Sequence, residues 1–344
     1  MKKVLTGIIA VGLTILISSL LLKHPGDVDT DAKTMRTVCD MTGRRVQTPV
    51  TVNRVVTAMY PVATQLMFLV GAQEFLAGVS SMDVNDVMLR IYPPISDVYQ
   101  PGKTENGDIT KEEIIRMRPD VVFTHTRNAL INDYADLGIA SISLKLETPE
   151  ELIRGIELVG EVMNRSQRAA QIAGYYRDKL EYIREKTARI ENRKKVYFAG
   201  PAMLSTAGGD FYQNFVIEYA GGVNVAGQGH GGWCSVSLEH LLSWNPDFVF
   251  IGNYGTACVD DFTKDPRLRG VTAVRNGDVY MSRSYIGSWD IPTPESLLGI
   301  MWLANKLYPR ETAFDMAAEM IEFYRVCYGY TPARDEIAAV LEAP

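Results

Sequence analysis

Between Ser166 and Asn192 the chain reads SQRAAQIAGYYRDKLEYIREKTARIEN, without a proline. Ala, Gln, Arg, Lys and Glu dominate, all good helix formers, and Ser166 stands where an N-cap belongs. Ile172, Tyr175, Tyr176, Leu180, Ile183 and Ile190 recur at helical spacing, so one face is apolar and the rest charged. At 1.5 Å per residue such a helix spans roughly 40 Å, about the width of a small domain. A surface helix would satisfy the same pattern. The segments on either side favour a rigid strut between two lobes, because each alternates strands with helices.

Before the strut, Arg36–Thr48 alternates around Thr42-Gly43 as a hairpin does, and Pro49 closes it. Strands follow at 54–58, 76–80, 121–124 and 141–144, with helices at 61–70, 110–117 and 129–137. The stretch 82–107 reads as irregular, and Thr148-Pro149 opens a further helix. After the strut the pattern restarts. Strands are expected at 195–199, 248–251 and 279–281, with helices at 210–219, 237–243, 294–308 and 312–324. Alternation of this kind implies parallel sheets covered on both faces. ITKEEIIRMRPDVVFTH in the first half also matches VSLEHLLSWNPDFVFIG in the second: cap, glutamate, apolar face, Pro-Asp, strand. Glu112 precedes Asp120 by eight residues, and Glu239 precedes Asp247 by eight. The expected fold is therefore α/β, two lobes with parallel-type sheets joined by one long backbone helix. The expected boundaries are 36–165, 166–192 and 193–344, behind an N-terminal anchor and tether over 1–35.

A chain of 344 residues is long enough for two cores. Its net charge of −6 and lack of a dense Lys/Arg cluster give no electrostatic footprint for nucleic acid. Lys2 and Lys3 precede an uncharged apolar run, Val4 to Leu22, that ends at Lys23. The run is near the lower limit for spanning a bilayer and long for a signal-peptide core. No cysteine follows it closely, and Thr30 and Ala32 are the best cleavage residues on offer. It reads as an uncleaved anchor in preference to a cleaved signal, with the folded body outside the cytoplasm. Cys39, Cys234, Cys258 and Cys327 have no zinc-site spacing, so one disulfide of unassigned pairing or free thiols are expected.

The hairpin opening, Asp40, Gly43, Arg44, Val46, Pro49, then Arg54, Val55 and Val56, is similar to the opening of the extracytoplasmic solute-binding proteins of ABC importers. So is the closing segment DPRLRGVTAVRNGDVYMSRSYIGSWDIPTPESLLGIMWLANKLYP. The branch resembled is the one for iron–siderophore complexes, haem and cobalamin, the class III periplasmic binding proteins, and the resemblance runs from about Arg36 to the end. It implies a shallow cleft between two lobes bridged by a backbone helix, partnership with a permease and its ATPase, and no enzymatic activity or intrinsic cofactor. It further implies that a glutamate on each lobe, here Glu112 and Glu239, docks into arginines of the permease. Two departures stand out: Gln65 lies where many relatives carry a glutamate, and the lipoprotein cysteine is missing.

Ligands of open α/β sheets sit beyond the carboxyl ends of the strands. That rule selects Tyr60, Tyr99, His125, Arg127, His230, Trp233, Tyr254, Arg283, Tyr285 and Trp289. Flat rings suit a large, partly apolar chelate, and Arg127 or Arg283 would meet its negative charge. His230 and Tyr285 are candidates to complete the coordination of a chelated Fe(III), cobalt or nickel. With four histidines in the chain, an importer of bare zinc or manganese is disfavoured. The glycine-rich AGGVNVAGQGHGG lacks the G-K-[ST] of a phosphate loop and reads as a mobile cleft edge. An enzyme using Cys234, His230 and Glu239 is the rival class, but no nucleophile-elbow motif surrounds Cys234. A sensor or cofactor-assembly protein on the same scaffold is the other. Ferric siderophore is the first expected ligand, with haem, corrinoid and nickel–chelator complexes open.

Overall fold

The computed structural model describes residues 34–58, 62–80, 84–100, 109–126, 131–229 and 232–343, and Met35–Pro344 forms one compact unit. The expected anchor over 4–22 and its cleavage residues lie outside the described residues. Among the described residues no helix is long and apolar enough to cross a membrane.

Strands β1 (Met35–Cys39) and β2 (Arg45–Pro49) pair antiparallel, as the alternation predicts. Asp40 closes their turn, accepting from Thr42 N and Arg44 N at 3.0 Å and from the Arg44 guanidinium at 2.7 Å. The first parallel sheet has the order β4-β3-β5-β6, built from β3 (Val55–Ala58), β4 (Leu76–Val79), β5 (Val121–His125) and β6 (Ala140–Leu144). Its helices are α1 (Val62–Leu69), α2 (Asp86–Ile91), α3 (Lys111–Met117), α4 (Ile131–Asp136) and α5 (Pro149–Val162). Helix α2 lies in the stretch expected to be irregular. Its signal was Asn85, whose Oδ1 accepts from Val87 N and Met88 N.

The strut, α6, runs Ser166–Thr187. Ile172, Tyr176, Leu180 and Ile183 are buried on one face, as their spacing requires. Two details differ from expectation. Arg165, not Ser166, occupies the N-cap, because Asn164 turns the chain from α5 at φ 55°. The helix also stops at Thr187 instead of Asn192, where Ile190 leaves the helical path to pack beside Gly221.

The second sheet has the order β12-β11-β7-β9, all parallel, from β7 (Lys195–Ala199), β9 (Val223–Asn224), β11 (Phe248–Ile251) and β12 (Val279–Met281). A small antiparallel pair, β8 (Ser205–Ala207) and β10 (Trp233–Ser235), stands beside it. The helices are α7 (Tyr212–Tyr219), α8 (Leu238–Trp244), α9 (Val259–Thr263), α10 (Thr272–Asn276), α11 (Ser296–Leu307), α12 (Met316–Tyr328) and α13 (Arg334–Leu341).

The sequence repeat is a structural one. Thr110 and Ser237 cap α3 and α8. Arg118 and Asn245 end those helices in the left-handed region, at φ 48° and 45°. The aspartates of the two Pro-Asp pairs then tie each helix to the strand beside it. Asp120 Oδ2 accepts from Asn53 N and Arg54 N at 2.7 and 2.9 Å, and Asp247 Oδ2 accepts from Lys195 N at 2.8 Å. Arg54 donates to Met117 O and Lys195 Nζ to Trp244 O, a cation at the carbonyl end of each helix.

One apolar core runs through both sheets and the strut. Helices α12 and α13 do not stay with the second sheet. Arg90 of α2 pairs with Glu336 of α13 at 2.5 Å, and α12 packs on α1. Arg168 of the strut donates to Leu69 O and to Val326 O, the carbonyl ends of α1 and α12. The terminal helices thus bridge the halves together with the strut.

Candidate functional site

The carboxyl ends of the two sheets face each other. Asn85, beyond the end of β4, donates to Tyr285 O and Ile286 O, beyond the end of β12, at 3.2 and 2.9 Å. Gln65 in α1, just past β3, lies against Gly287 of the same loop. Solute-binding groups are therefore sought between these ends.

On the second lobe, Trp233 and Tyr254 come together. Both are substantially exposed, at 37% and 39%, with ring centroids 6.1 Å apart. Their position depends on two glycines at the ends of the central strands. A Cβ on Gly200, after β7, would stand 2.1 Å from the Trp233 ring, and one on Gly252, after β11, 2.7 Å from the Tyr254 ring. Only the bare backbone lets these rings lie over the strand ends. Phe198 stacks on Trp233 at 6.0 Å from within the core, and Phe211 meets it edge-on at 4.8 Å. The platform is thus held rigidly from behind.

The Tyr254 ring face is open while its hydroxyl turns inward. Gln213 Nε2 donates to it at 3.1 Å, and it lies beside Asp290. Desolvation, reinforced by Asp290, pushes its pKa up, so the phenol stays neutral. Asp290 is fully buried and its pKa is raised by burial, against the opposing hydrogen bonds from Ser288, Ser282 and Tyr254. Ser288 Oγ also reaches Asn253 Oδ1 at 2.8 Å.

The first lobe is chemically different. His125 Nε2 lies 3.4 Å from Glu147 Oε1 at the end of β5. Tyr99, also exposed, donates its hydroxyl to Glu113, which lowers the Glu113 pKa. Glu113 in turn closes the capping box of α3 with Thr110. Glu112 and Glu239 occupy the same place in the two repeats. Each is the exposed second residue of its helix, at the sheet's carboxyl-end rim.

Three expected site residues are differently placed. Trp289 is wholly buried, its carbonyl filling the space a Cβ on Gly299 would need, so it offers no face to a solute. Arg283 is 4% exposed, with its guanidinium 4.9 Å from the centre of the Trp302 ring. Tyr285 packs edge-on against Tyr324 at 4.9 Å, and its hydroxyl lies among Tyr330, Arg90 and Glu336. Burial raises its pKa, so with no metal beside it the phenol stays protonated. Tyr60, Arg127 and His230 lie outside the described residues. Among the described residues no cluster of His, Cys, Asp or Glu could hold a bare metal ion.

The glycine-rich loop, where described, is tied down. Val225 N donates to Val196 O at 3.0 Å and Gly209 N to Gly229 O at 2.8 Å, so its glycines serve close backbone approach. Cys39, Cys234, Cys258 and Cys327 are all free thiols, and Cys327 is buried. Cys234 lines a groove of about 750 Å³ with Asn214, Asn224, His240 and Trp244. It alternates with Trp233 along β10 and so faces the other way. Sequence reasoning missed Phe211, Gln213 and Asp290. The strand-end glycine shared by KVYFAG and DFVFIG marks where the two rings sit, but not these three residues behind them.

Two parallel α/β sheets with opposed carboxyl ends, a helical bridge and an open aromatic platform define a two-lobed solute-binding protein. The chain belongs to the periplasmic binding protein family, whose pattern it matches over residues 56–285. That family supplies the extracytoplasmic solute-binding components of ABC importers. The molybdate-binding protein MolA of Haemophilus influenzae is 26% identical, over 85% of this chain and 92% of that protein. A vitamin B12-binding protein of Vibrio vulnificus is 22% identical, over 71% and 86%. Among solved structures, a periplasmic solute-binding protein from Veillonella parvula superposes with a TM-score of 0.78 at 24% identity, covering 90% of this chain and 97% of that one. MolA bound to molybdate gives 0.74 at 24%, over 87% and 99%. These relatives are binding proteins, not enzymes.

Proposed function

We propose that this protein captures a metal-bearing organic complex between its lobes, a ferric siderophore first and haem or a corrinoid next, and delivers it to an ABC permease. The observation that carries this reading is the platform of Trp233 and Tyr254. Two rigidly backed, partly exposed rings give a large flat ligand dispersion and stacking surface, whereas they offer a small dianion little. Tyr99 and His125 supply polar contacts from the opposite lobe, where Tyr60 and Arg127 are also candidates, and His230 is a candidate on the lobe that carries the rings.

Native mass spectrometry and visible absorption of the purified chain test the reading. The panel comprises ferric hydroxamate and catecholate siderophores, haem, cobalamin, a nickel–histidine complex and molybdate. Retention of one chelate at one per chain is expected. A second reading, a tetrahedral oxyanion, is favoured by the likeness to the molybdate-binding protein, and retention of molybdate alone would establish it in place of the first.

Glu112 and Glu239 dock to permease arginines in this reading. Paired charges at matching rim positions give orientation and encounter rate more than affinity, which suits a carrier that must release. Charge reversal at both is expected to cut transport at least tenfold and leave solute affinity unchanged. A matching loss of affinity would instead assign them to the cleft. In the same picture residues 4–22 anchor the chain in the cell membrane, with the folded body in the periplasm or on the membrane's outer face.

A further inference from the structure

The loop between β12 and α11 is gripped from both lobes. Residues 283–289 fold back on themselves, with Trp289 N donating to Arg283 O at 2.9 Å and Ser284 bridging Ser288. Two N–H groups at the tip point into their own lobe, where both meet the buried carboxyl of Glu295. Ile286 N donates to Oε1 at 2.9 Å and Gly287 N to Oε2. Tyr324 donates its hydroxyl to the same group. The tip carbonyls point the other way. Tyr285 O and Ile286 O both accept from the Nδ2 of Asn85 in the opposite lobe. Asn85 is itself fixed, because its Oδ1 caps α2 through Val87 N and Met88 N at 3.1 and 3.0 Å. Gln65 closes the remaining side: a Cβ on Gly287 would lie 2.8 Å from its Nε2 and 3.1 Å from Glu295 Oε2.

The two grips differ in kind. Those at Glu295 are buried and made to a carboxyl, so breaking them strands a buried acid. Those at Asn85 are neutral and only partly buried, and water can replace them at little cost. We propose that Asn85 and Glu295 are positioning residues with opposite tasks: Glu295 fixes the 283–289 loop permanently to its own lobe, and Asn85 latches that loop reversibly to the other, so that the cleft opens by parting at Asn85 and at the neighbouring exposed contacts of Arg90 with Tyr285 and Glu336. The proposal rests on the cleft reading above but concerns the opening itself, and its test uses no solute. Failure here and failure to find a ligand are therefore separate results.

Hydrogen–deuterium exchange of the full chain decides it. Asn85→Asp keeps an oxygen to cap α2 but loses the amide donors. It is expected to raise exchange at least tenfold in both 84–92 and 283–289, with β5 and β11 at wild-type rates. Asn85→Ser, a second capping residue without the donor pair, is expected to do the same. Glu295→Gln is expected to loosen 283–289 while 84–92 stays at its wild-type rate. If both Asn85 variants leave 283–289 at the wild-type rate, Asn85 is a helix cap and nothing more, and the latch is wrong. If Glu295→Gln frees both segments equally, the division of tasks is wrong.

Discussion

The two lobes share a scaffold and differ in everything that faces the cleft. Thr110 and Ser237, Arg118 and Asn245, Asp120 and Asp247, Arg54 and Lys195 make the same caps, turns and clamps on either side of the strut. At the strand ends the likeness stops. The second lobe sets two open rings over glycines and buries two carboxyls, Asp290 beside Tyr254 and Glu295 under the 283–289 loop. The first lobe answers with the amides of Gln65 and Asn85, a Tyr99–Glu113 contact and a His125–Glu147 pair. The helix–Pro-Asp–strand unit is thus a means of holding a sheet in place, and it leaves the strand ends free to carry different chemistry in each copy.

The buried acids give the largest way to test this asymmetry. Burial raises the Glu295 pKa from its ordinary 4.5 to about 7, opposed by Tyr324 and the amides of Ile286 and Gly287. Tyr324, Tyr328 and Cys327 are the titratable neighbours that feel its charge, and all three are held protonated by burial. Because the folded value lies above the unfolded one, the folded state binds the extra proton between them. Glu295 therefore favours the fold fully below about pH 4.5, and that contribution is lost as pH rises through 7. The change is about 3 kcal/mol. Denaturant melts of the wild type should lose stability over this range, and Glu295→Gln should flatten that part of the profile. An unchanged slope in the variant would remove the acid from the account.

A smaller effect compares the clamps directly. Asp120 is buried and accepts two backbone N–H groups, whereas Asp247 is half-buried and accepts one. Asp120→Ala is expected to cost about 3 kcal/mol and Asp247→Ala about half that, measured by urea unfolding. Equal losses would mean that the second aspartate has partners beyond Lys195, and the copies would be more alike than their hydrogen bonds indicate.

Much of the scaffold was legible because it is local. The spacing of Glu112 to Asp120 and of Glu239 to Asp247 encodes a cap, a short helix and a clamp within one stretch of chain, and the apolar face of α6 follows from a single period. The strut's last turn was misread because Ile190 has a better apolar partner off the helix than on it. The site was less legible for a related reason. The strand-end rule names loops, but it does not say which way a side chain turns. Trp289 and Arg283 follow β12 as the rule requires and then turn into the core, against Gly299 and Trp302. Phe211, Gln213 and Asp290 meet Trp233 or Tyr254 from distant parts of the sequence, so no local pattern marks them. The crossing of α12 and α13 back to the first lobe is likewise a product of packing, not of their own sequence.

The central claim is that solute is held on the second lobe's rings. Isothermal titration of the wild type, Trp233→Ala and Tyr99→Ala with the chelate retained in the panel measures it directly. The account predicts a roughly thirtyfold loss of affinity, about 2 kcal/mol, for Trp233→Ala and less than threefold for Tyr99→Ala. Undiminished binding by Trp233→Ala, or tight binding of molybdate by both variants with every chelate ignored, would contradict it.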